Sequence, residues 1–339
     1  MRCAVIAIGV LLAASLCAQR SPFNGIEVAP VDSSGRYRLL FSGHFHGESS
    51  NRTGLPARTL LANIDVIDDL HAHALLSTGD LFMMAADDRA RYERAFFSKL
   101  RTPLFNAVGN HDLDGGDYTR LFGPTHAVID LGKDRILVLD TERDGGSLKG
   151  EQLELLEAAA TTEGLRNLFI VTHRPIWAED DPRYGPLFRG NTRSALGTNF
   201  HAAVEPVLER LSKQVHIWWI SGSMAGGAPS SIFFQPHARN ITYIQSAIRD
   251  EAKDALLIAE VSSDTVVWSA LSLTGARMRE PRAYDAAYWE ERKGVKPGFN
   301  WNLVPYWTKS MLTHRFFWWG VVLGLLFFLL LRRLLRRYP

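Results

Sequence analysis

The feature that most constrains the fold is a series of short apolar runs, each of which ends at a polar, glycine-bearing or histidine-bearing turn. Runs of four to eight apolar residues between turn signals are typical of buried strands. The clearest runs span residues 38–42, 74–78, 104–108, 168–172 and 216–220. Helical patterns lie between them, at 151–162 and 200–213. This alternation predicts a layered α/β domain whose ligand site forms where strands end.

After residue 231 the pattern changes to strand following strand. These runs lie at 232–235, 241–246, 255–261 and 265–273. We expect them to complete a sheet of the same domain. The next segment, 274–312, contains Pro281, Pro297 and Pro305 and few apolar runs, so it is expected to be a tether.

The turns after the predicted strands carry side chains that bind metal ions. His44 and His46 are two positions apart at one strand end, so they project to the same side. Asp80, Asn110 and His173 follow three further strands. A single histidine there is more often structural, and Gly-Asp is more often a turn. Four such turns in order nevertheless indicate a divalent metal site, with Zn, Mn or Fe as the ion.

The ordered turns resemble those of the calcineurin-like metallophosphoesterase superfamily. The blocks that carry the resemblance are Gly79-Asp80-Leu81, Gly109-Asn110-His111-Asp112 and Thr172-His173-Arg174-Pro175. The resemblance covers residues 36–273 and implies an α/β fold, a layered sandwich of two mixed β-sheets flanked by helices. It also implies one or two divalent ions and hydrolysis of phosphate monoesters or diesters by a metal-activated hydroxide.

Residue by residue, the resemblance implies two overlapping groups of metal ligands. The first group is His44, His46 and Asp80, and the second is Asp80, Asn110 and His173. Asp80 would then bridge the two ions.

The resemblance further implies that His111 gives a hydrogen bond or proton to the leaving oxygen and that Asp112 orients it. Arg174, beside His173, would contact phosphate oxygens, although a solvated loop arginine is the simpler interpretation. His201, at the start of a predicted helix, is a candidate to move into a vacated ligand position.

The sequence departs from the family pattern at both ends of the ligand set. His44 stands where the family has Asp, and Ser223 and Ala225 stand where it has two His ligands. Each ion would keep three protein ligands, which is enough for a catalytic metal completed by water. The same departures favour an alternative, a catalytically silent phosphoesterase-like domain that serves as a binding or scaffold module.

The N-terminal segment has the layout of an export signal. Residues 1–18 begin Met-Arg, continue with an apolar stretch and finish with small residues, as secretory signal peptides do. An uncleaved anchor helix is the alternative. Cys3 and Cys17 both lie in this segment, so the mature domain would contain no thiol.

The C-terminal segment is predicted to cross a membrane. Residues 313–331 contain an unbroken apolar run from Phe316, and the basic tail 332–339 follows. The positive-inside rule places that tail in the cytoplasm and the domain outside it, in a periplasm, an extracellular space or a lumen. The expected protein is thus anchored by a single-pass helix, with lipid-linked or envelope phosphate esters as candidate substrates.

The charge balance excludes one class of partner. There are 38 Lys+Arg against 36 Asp+Glu, which is a net charge of +2. Five basic residues lie in the two end segments, so subtracting them from +2 leaves −3 for residues 19–331. No nucleic acid is expected as a ligand of such a domain.

Overall fold

A computed structural model describes most of the 339-residue chain. The described residues are 19–48, 50–178, 181–188, 197–223, 231–249, 254–293, 295, 299 and 301–336. The predicted signal segment 1–18, the ligand-replacing residue Ala225 and the last arginine, Arg337, lie outside the described residues.

The described residues form eleven strands. They are β1 Tyr37–Ser42, β2 Ala74–Ser77, β3 Leu104–Asn106, β4 Ala127–Leu131, β5 Asp134–Val138, β6 Asn167–Val171, β7 His216–Ser221, β8 Ile232–Ala238, β9 Ile241–Ser246, β10 Ala255–Val261 and β11 Val266–Ser272. The strands predicted from apolar runs are all present, within a few residues of their expected bounds.

The α-helices of the described residues connect and flank these strands. They are α1 Arg58–Ala62, α2 Ile64–Asp68, α3 Ala85–Tyr92, α4 Asn110–Leu113, α5 Tyr118–Phe122, α6 Glu151–Thr161, α7 Gly185–Phe188, α8 Glu205–Leu211, α9 Ala286–Glu290, α10 Val304–Thr313 and α11 Arg315–Leu335. The helix expected at 200–213 begins with one π-helical stretch, Phe200–Val204, and continues as α8.

The strands form two mixed sheets, and this confirms the predicted sandwich flanked by helices. The first sheet has the order β11-β10-β1-β2-β3, and the second has the order β4-β5-β6-β7-β9-β8. In the first sheet β1, β2 and β3 run parallel, as do β5, β6, β7 and β9 in the second. Parallel neighbours end at the same edge, so each sheet presents its strand-end turns together.

Side chains of alternate strand residues fill two cores. In β1, Phe41 faces the second sheet and stacks on Phe169 at 6.0 Å between ring centroids, whereas Leu40 points to the helices on the opposite face. Trp218 and Trp268 meet between the sheets at 5.3 Å. This packing of large aromatic side chains holds the two sheets in a fixed relation.

A buried carboxylate joins the sheets at the end where the parallel strands begin. Asp134, the first residue of β5, accepts hydrogen bonds from the Tyr37 hydroxyl at 2.6 Å, from the Arg166 guanidinium and from the Asn167 side chain at 2.8 Å. Arg166 also donates to the Ser262 carbonyl at 2.6 Å. The burial of Tyr37 and the charge of Asp134 raise the pKa of the Tyr37 hydroxyl far above its usual range.

The segment that precedes β1 belongs to the domain, which we expected to begin at residue 36. The Ser21 hydroxyl donates to the Leu104 carbonyl at 2.6 Å, and the buried Phe23 ring lies 5.4 Å from Phe97. Residues 19–35 therefore pack on the core.

The segment expected to be a tether, 274–312, is in part a piece of the core. Within 281–290 the chain forms a 3₁₀ turn and α9, and Tyr284 and Trp289 are buried. The Trp289 indole nitrogen donates to the Ile232 carbonyl at 2.9 Å, which attaches α9 to the edge strand β8. The prediction of a simple tether was wrong here because a few large aromatic side chains dock this polar segment.

The described chain ends in two consecutive helices. α10 packs against α1, and α11 follows after His314. Among the described residues, α11 is the one helix long and apolar enough to cross a membrane, and none of its apolar stretch is buried against the rest of the chain.

Candidate metal centre

Strand-end turns from both sheets converge on one carboxylate. His44 and His46 follow β1, Asp80 follows β2 and His173 follows β6. His44 and Asp80 have φ angles of 53° and 55°, in the left-handed region that costs non-glycine residues energy. Such conformations persist where surrounding contacts impose them, and they concentrate at functional sites.

Asp80 lies at the centre of the cluster. Its Oδ2 atom is 3.5 Å from His44 Nε2, 3.8 Å from His46 Nε2 and 3.5 Å from His173 Nε2. All four side chains are buried. The structure therefore brings together four of the five residues that the sequence predicted as ligands, with one carboxylate oxygen facing three imidazoles.

The fifth predicted ligand, Asn110, begins α4 at the same edge. It stands between Gly109, whose Cα lies against the Asp80 carboxylate, and His111, whose backbone N–H donates to Asp80 Oδ1 at 3.1 Å. Asn110 is partly exposed. The backbone on both sides of it thus approaches Asp80, and a ligand role for its side chain remains a prediction.

Several buried imidazole nitrogens in the cluster have no hydrogen-bond partner among the described residues. They are His46 Nδ1, His46 Nε2 and His173 Nε2. The Nδ1 atom of His173 lies 2.9 Å from the Thr78 carbonyl, so Nδ1 donates to that oxygen and Nε2 faces Asp80. Buried polar atoms are normally satisfied, and imidazole nitrogens left open beside a carboxylate fit a divalent cation.

The cluster is electrostatically arranged for a cation. Burial lowers the pKa of His44 well below its usual range, a shift that Asp80 opposes and that His46, His173 and Arg249 strengthen. Burial alone would raise the pKa of Asp80, but the histidines around it hold that pKa well below its usual range. A carboxylate that stays ionised among three imidazoles is a suitable set of metal ligands.

Arg249 is a cation near the cluster that the sequence did not single out. The backbone N–H of Ile248 donates to the Gly43 carbonyl at 2.8 Å, which places the segment after β9 beside the turn that carries His44. The Arg249 charge also contributes to the lowered pKa of His44. Its position depends on pairing between segments about 200 residues apart, which no local pattern reveals.

Arg174, the cation that was predicted to contact phosphate, forms an ion pair with Glu142. Its Nε and Nη2 atoms donate to the two carboxylate oxygens of Glu142 at 2.8 and 2.6 Å. Both side chains are largely buried. Two donors of the guanidinium fork are therefore used within the protein, and a phosphate contact by Arg174 stays a prediction.

No hydrogen bond joins Asp112 to the His111 ring among the described residues, so no direct contact supports the expected orienting role. The Asp112 carboxylate accepts from the Phe82 N–H at 2.9 Å, the Gly109 N–H at 2.9 Å and the Asn106 amide at 3.0 Å. Burial, with Asp80 adding to it, raises the pKa of Asp112 to about 6 although these donors oppose the shift. Asp112 therefore holds the turns after β2 and β3 together through these hydrogen bonds.

His111 lies at the more open side of the cluster. Its ring centroid is 5.2 Å from that of His46, and its Nδ1 atom is 3.6 Å from the exposed Asp114 carboxylate. Asp114 is thus the acid beside this imidazole. One ring nitrogen of His111 also lies within 4.8 Å of ligand atoms of His46 and Asp80.

The ligand atoms group differently from the expected pairs. His44, Asp80 and His173 form one group with mutual distances within 4.8 Å, and His46, Asp80 and His111 form another. Asp80 belongs to both, as expected of a bridging ligand.

Two further residues that the sequence singled out are Ser223 and His201. Ser223 is buried, and its backbone N–H donates to the His173 carbonyl at 2.7 Å, so the predicted replacement of a family histidine does stand beside the cluster. His201 is exposed and pairs with Glu205 at 2.9 Å on its own helix, so it does not occupy a ligand position.

Two glycines allow the turns to approach closely. A Cβ at Gly79 would collide with the His173 ring, and Gly79 also has a φ of 96°. A Cβ at Gly109 would collide with Asp80 Oδ1, although the backbone of Gly109 is not in the left-handed region. The glycines of the Gly-Asp and Gly-Asn blocks are therefore required by packing around the cluster.

Gly109→Ala is expected to lower the free energy of unfolding by about 2 kcal/mol, because the added methyl group overpacks a buried site and displaces Asp80. It should also weaken binding of Mn or Zn. Gly185→Ala is the matched control, since its Cβ would meet only the Ala178 carbonyl at 3.7 Å. Denaturant unfolding and metal titration measure the two effects. Equal stability and metal affinity in both variants would contradict this account of the turn.

No protein-family model and no curated protein sequence matches the chain. Among solved structures it is similar to a dimetal phosphatase from Danio rerio, with 14% identity, a TM-score of 0.46 and coverage of 72% of this chain and 97% of the other. It is also similar to a conserved protein from Streptococcus pneumoniae TIGR4 described as a predicted phosphoesterase, with 11% identity, a TM-score of 0.30 and the same coverage, 72% and 97%. At these identities neither similarity assigns a function, which has to rest on the residues of the site.

Proposed function

We propose that this chain is a metal-dependent phosphoesterase that hydrolyses phosphate monoesters or diesters. The observation that carries the proposal is the set of open, buried imidazole nitrogens of His46 and His173 around Asp80. A structural role alone leaves these nitrogens unsatisfied at a cost in stability. His44, His46, Asp80, Asn110 and His173 would hold one or two divalent ions, of Mn, Fe or Zn.

The residues of the site have distinct parts in this proposal. A divalent ion supplies Lewis-acid activation of water and neutralises charge on the phosphate. Asp80 keeps its negative charge at the centre of the ligands. His111, at the open side, would give a proton from Nε2 to the leaving oxygen while Nδ1 faces Asp114. Arg249 would add positive charge on the His44 side, where the anionic ester binds.

We further propose that α11 anchors the protein in a membrane and that the domain lies outside the cytoplasm. The length and exposure of α11 and the arginines that follow its apolar stretch support the anchor and the orientation. Protease treatment of sealed membrane vesicles whose non-cytoplasmic face is outward tests the orientation. An external domain is digested while a C-terminal epitope tag survives until the membrane is permeabilised, and the reverse pattern would contradict the proposal.

The alternative, a silent binding module, is favoured by the serine that replaces a histidine beside His173. One experiment separates the two functions. The full chain, purified in a neutral detergent and stripped with a chelator, is given Mn or Zn. Bound metal, the unfolding temperature and hydrolysis of an aryl phosphate and a bis-aryl phosphodiester are then measured.

We expect the metal to bind, to raise the unfolding temperature and to restore hydrolysis. A ligand at a hundred times its Kd stabilises the folded state by about 2.7 kcal/mol, so the thermal shift is readily measured. Metal binding without turnover would favour the silent module. Neither binding nor turnover would overturn both functions.

A further inference from the structure

A cavity lies apart from the candidate metal ligands, between the loop after His46 and α10, the helix that leads into α11. Its volume is about 450 Å³, within the usual range of small-molecule sites. One wall is formed by Glu48, residues 50–56 and α1, and the other by α10. We refer to it as the α1–α10 pocket.

The α1–α10 pocket is rich in positive charge. Arg52 and Arg58 lie on one wall and Lys309 on the other, against the single carboxylate of Glu48. Arg58 and Lys309 are exposed and have no ion-pair partner among the described residues. Cations on facing walls favour an anionic ligand that sits between them.

The same pocket has an apolar part. Leu55, Pro56 and Leu61 line the wall that carries Arg58, and the Tyr306 ring lines the wall of α10. A free phosphate ion would use the cations and leave this surface unused. An amphipathic molecule with an anionic head and a hydrocarbon part would use both.

The position of the α1–α10 pocket relative to α11 points to the source of such a molecule. Tyr306, Lys309 and Thr313 lie three and four residues apart, so they share the face of α10 that lines the pocket. Thr313 is two residues before the start of α11. The pocket therefore opens within about one helical turn of the proposed membrane segment.

An aromatic cluster beside α10 supports an interfacial position. Phe299 and Trp301 are exposed, with ring centroids 4.9 Å apart, and Phe299 is 5.5 Å from Trp307 of α10. Exposed aromatic side chains next to a membrane helix are typical of the headgroup region. The pocket would then lie at the depth of lipid headgroups.

The α1–α10 pocket shares a wall with the metal centre. Asn51, which lines it, donates from Nδ2 to the His46 carbonyl at 2.6 Å and to the Leu55 carbonyl at 2.9 Å. The Ala57 N–H donates to the Phe45 carbonyl at 2.7 Å. Residues 50–56 are thus bonded directly to the turn that carries the histidines.

We propose that the α1–α10 pocket binds the phosphate-bearing headgroup of an amphipathic lipid. The proposal rests on the proposed phosphoesterase function in that it names phosphorylated lipids as the substrate class of the neighbouring site. The Arg58 and Lys309 side chains hold the headgroup, the apolar wall receives the first part of the hydrocarbon chain, and the membrane of α11 supplies the molecule.

Binding to the metal-free full chain in a neutral detergent tests this inference, because no hydrolysis occurs without metal. The probes are dioctanoyl phosphatidic acid, glycerol phosphate, which lacks the chains, and dioctanoylglycerol, which lacks the phosphate. We expect phosphatidic acid to bind at least about tenfold more tightly than either partial probe. In the double variant Arg58→Gln, Lys309→Gln its affinity should fall by about tenfold, as expected for lost charge-assisted contacts.

Lys213→Gln is the matched control, because Lys213 is an exposed cation outside the α1–α10 pocket. It should leave the affinity for phosphatidic acid unchanged, and circular dichroism should show both variants folded. Parental affinity in the double variant would overturn the inference. Equal affinity for glycerol phosphate and phosphatidic acid would overturn the assignment to a lipid and leave a site for free phosphate esters.

Failure of this inference is distinguishable from failure of the proposed function. If the parent hydrolyses aryl phosphates while its lipid affinity does not depend on Arg58 and Lys309, the function stands and the pocket does not bind lipid. If no ester is hydrolysed but phosphatidic acid binds in the manner described, the lipid-binding inference is supported and the phosphoesterase proposal is contradicted.

Discussion

Asp80→Asn is expected to remove metal binding and to reduce hydrolysis by about a thousandfold. Asp80 Oδ2 faces three imidazoles at 3.5–3.8 Å, and it is the negative charge at the centre of both ligand groups. A neutral amide cannot balance a divalent ion there. Losing several kcal/mol of charge stabilisation in the transition state corresponds to that loss of rate.

The control for this variant is Asp87→Asn, the same chemical change at an exposed position in the first turn of α3. Elemental analysis of the purified proteins and hydrolysis of an aryl phosphate provide the two readouts. Circular dichroism should show the fold intact, because the amide has the shape of the carboxylate. Normal metal content and turnover in Asp80→Asn would exclude the cluster as the catalytic site.

Asp134→Ala is expected to lower the free energy of unfolding by about 3 kcal/mol, because a buried carboxylate that satisfies several donors is lost. The donors left behind include the Tyr37 hydroxyl and the backbone and side-chain N–H groups of Asn167. Arg166 also loses its partner, although it is partly exposed and keeps some hydration. The change lies at the end of the strands opposite to the metal ligands, so it tests stability apart from chemistry.

Tyr37→Phe is the matched control, since it removes one hydrogen bond of this network and is expected to cost about 1 kcal/mol. Urea unfolding followed by tryptophan fluorescence measures both variants in the same detergent. A smaller loss for Asp134→Ala than for Tyr37→Phe would show that this network does not join the sheets.

The buried strands could be predicted from the sequence because they are continuous apolar runs. The bounds of β9 and β10 match their runs at 241–246 and 255–261. β4 and β5 were not predicted as strands. β4 lies at the edge of its sheet and pairs with β5 across Asp130 and Arg135, two polar side chains that interrupt the apolar pattern.

The clustering of His44, His46, Asp80 and His173 could be predicted because it follows from residue type and from position at a strand end. The partners of neighbouring side chains could not. Asp112 bonds to the backbone of Phe82, and Arg174 pairs with Glu142, across 30 and 32 residues of chain. Which donor a side chain meets depends on how distant turns pack, and each change of partner alters what that side chain can do.

The sequence by itself determined the α/β layers, the edge at which the candidate metal ligands lie and the apolar C-terminal helix. These features follow from hydrophobic periodicity and from the few residue types that bind divalent ions. Only the tertiary structure decided that His173 from one sheet faces Asp80 from the other, that Asp112 holds two turns together and that Arg174 pairs with Glu142. It also placed the cations of α1 and α10 on facing walls of one pocket. These facts depend on contacts between segments far apart in the chain, and the free energy of packing both sheets together selects them.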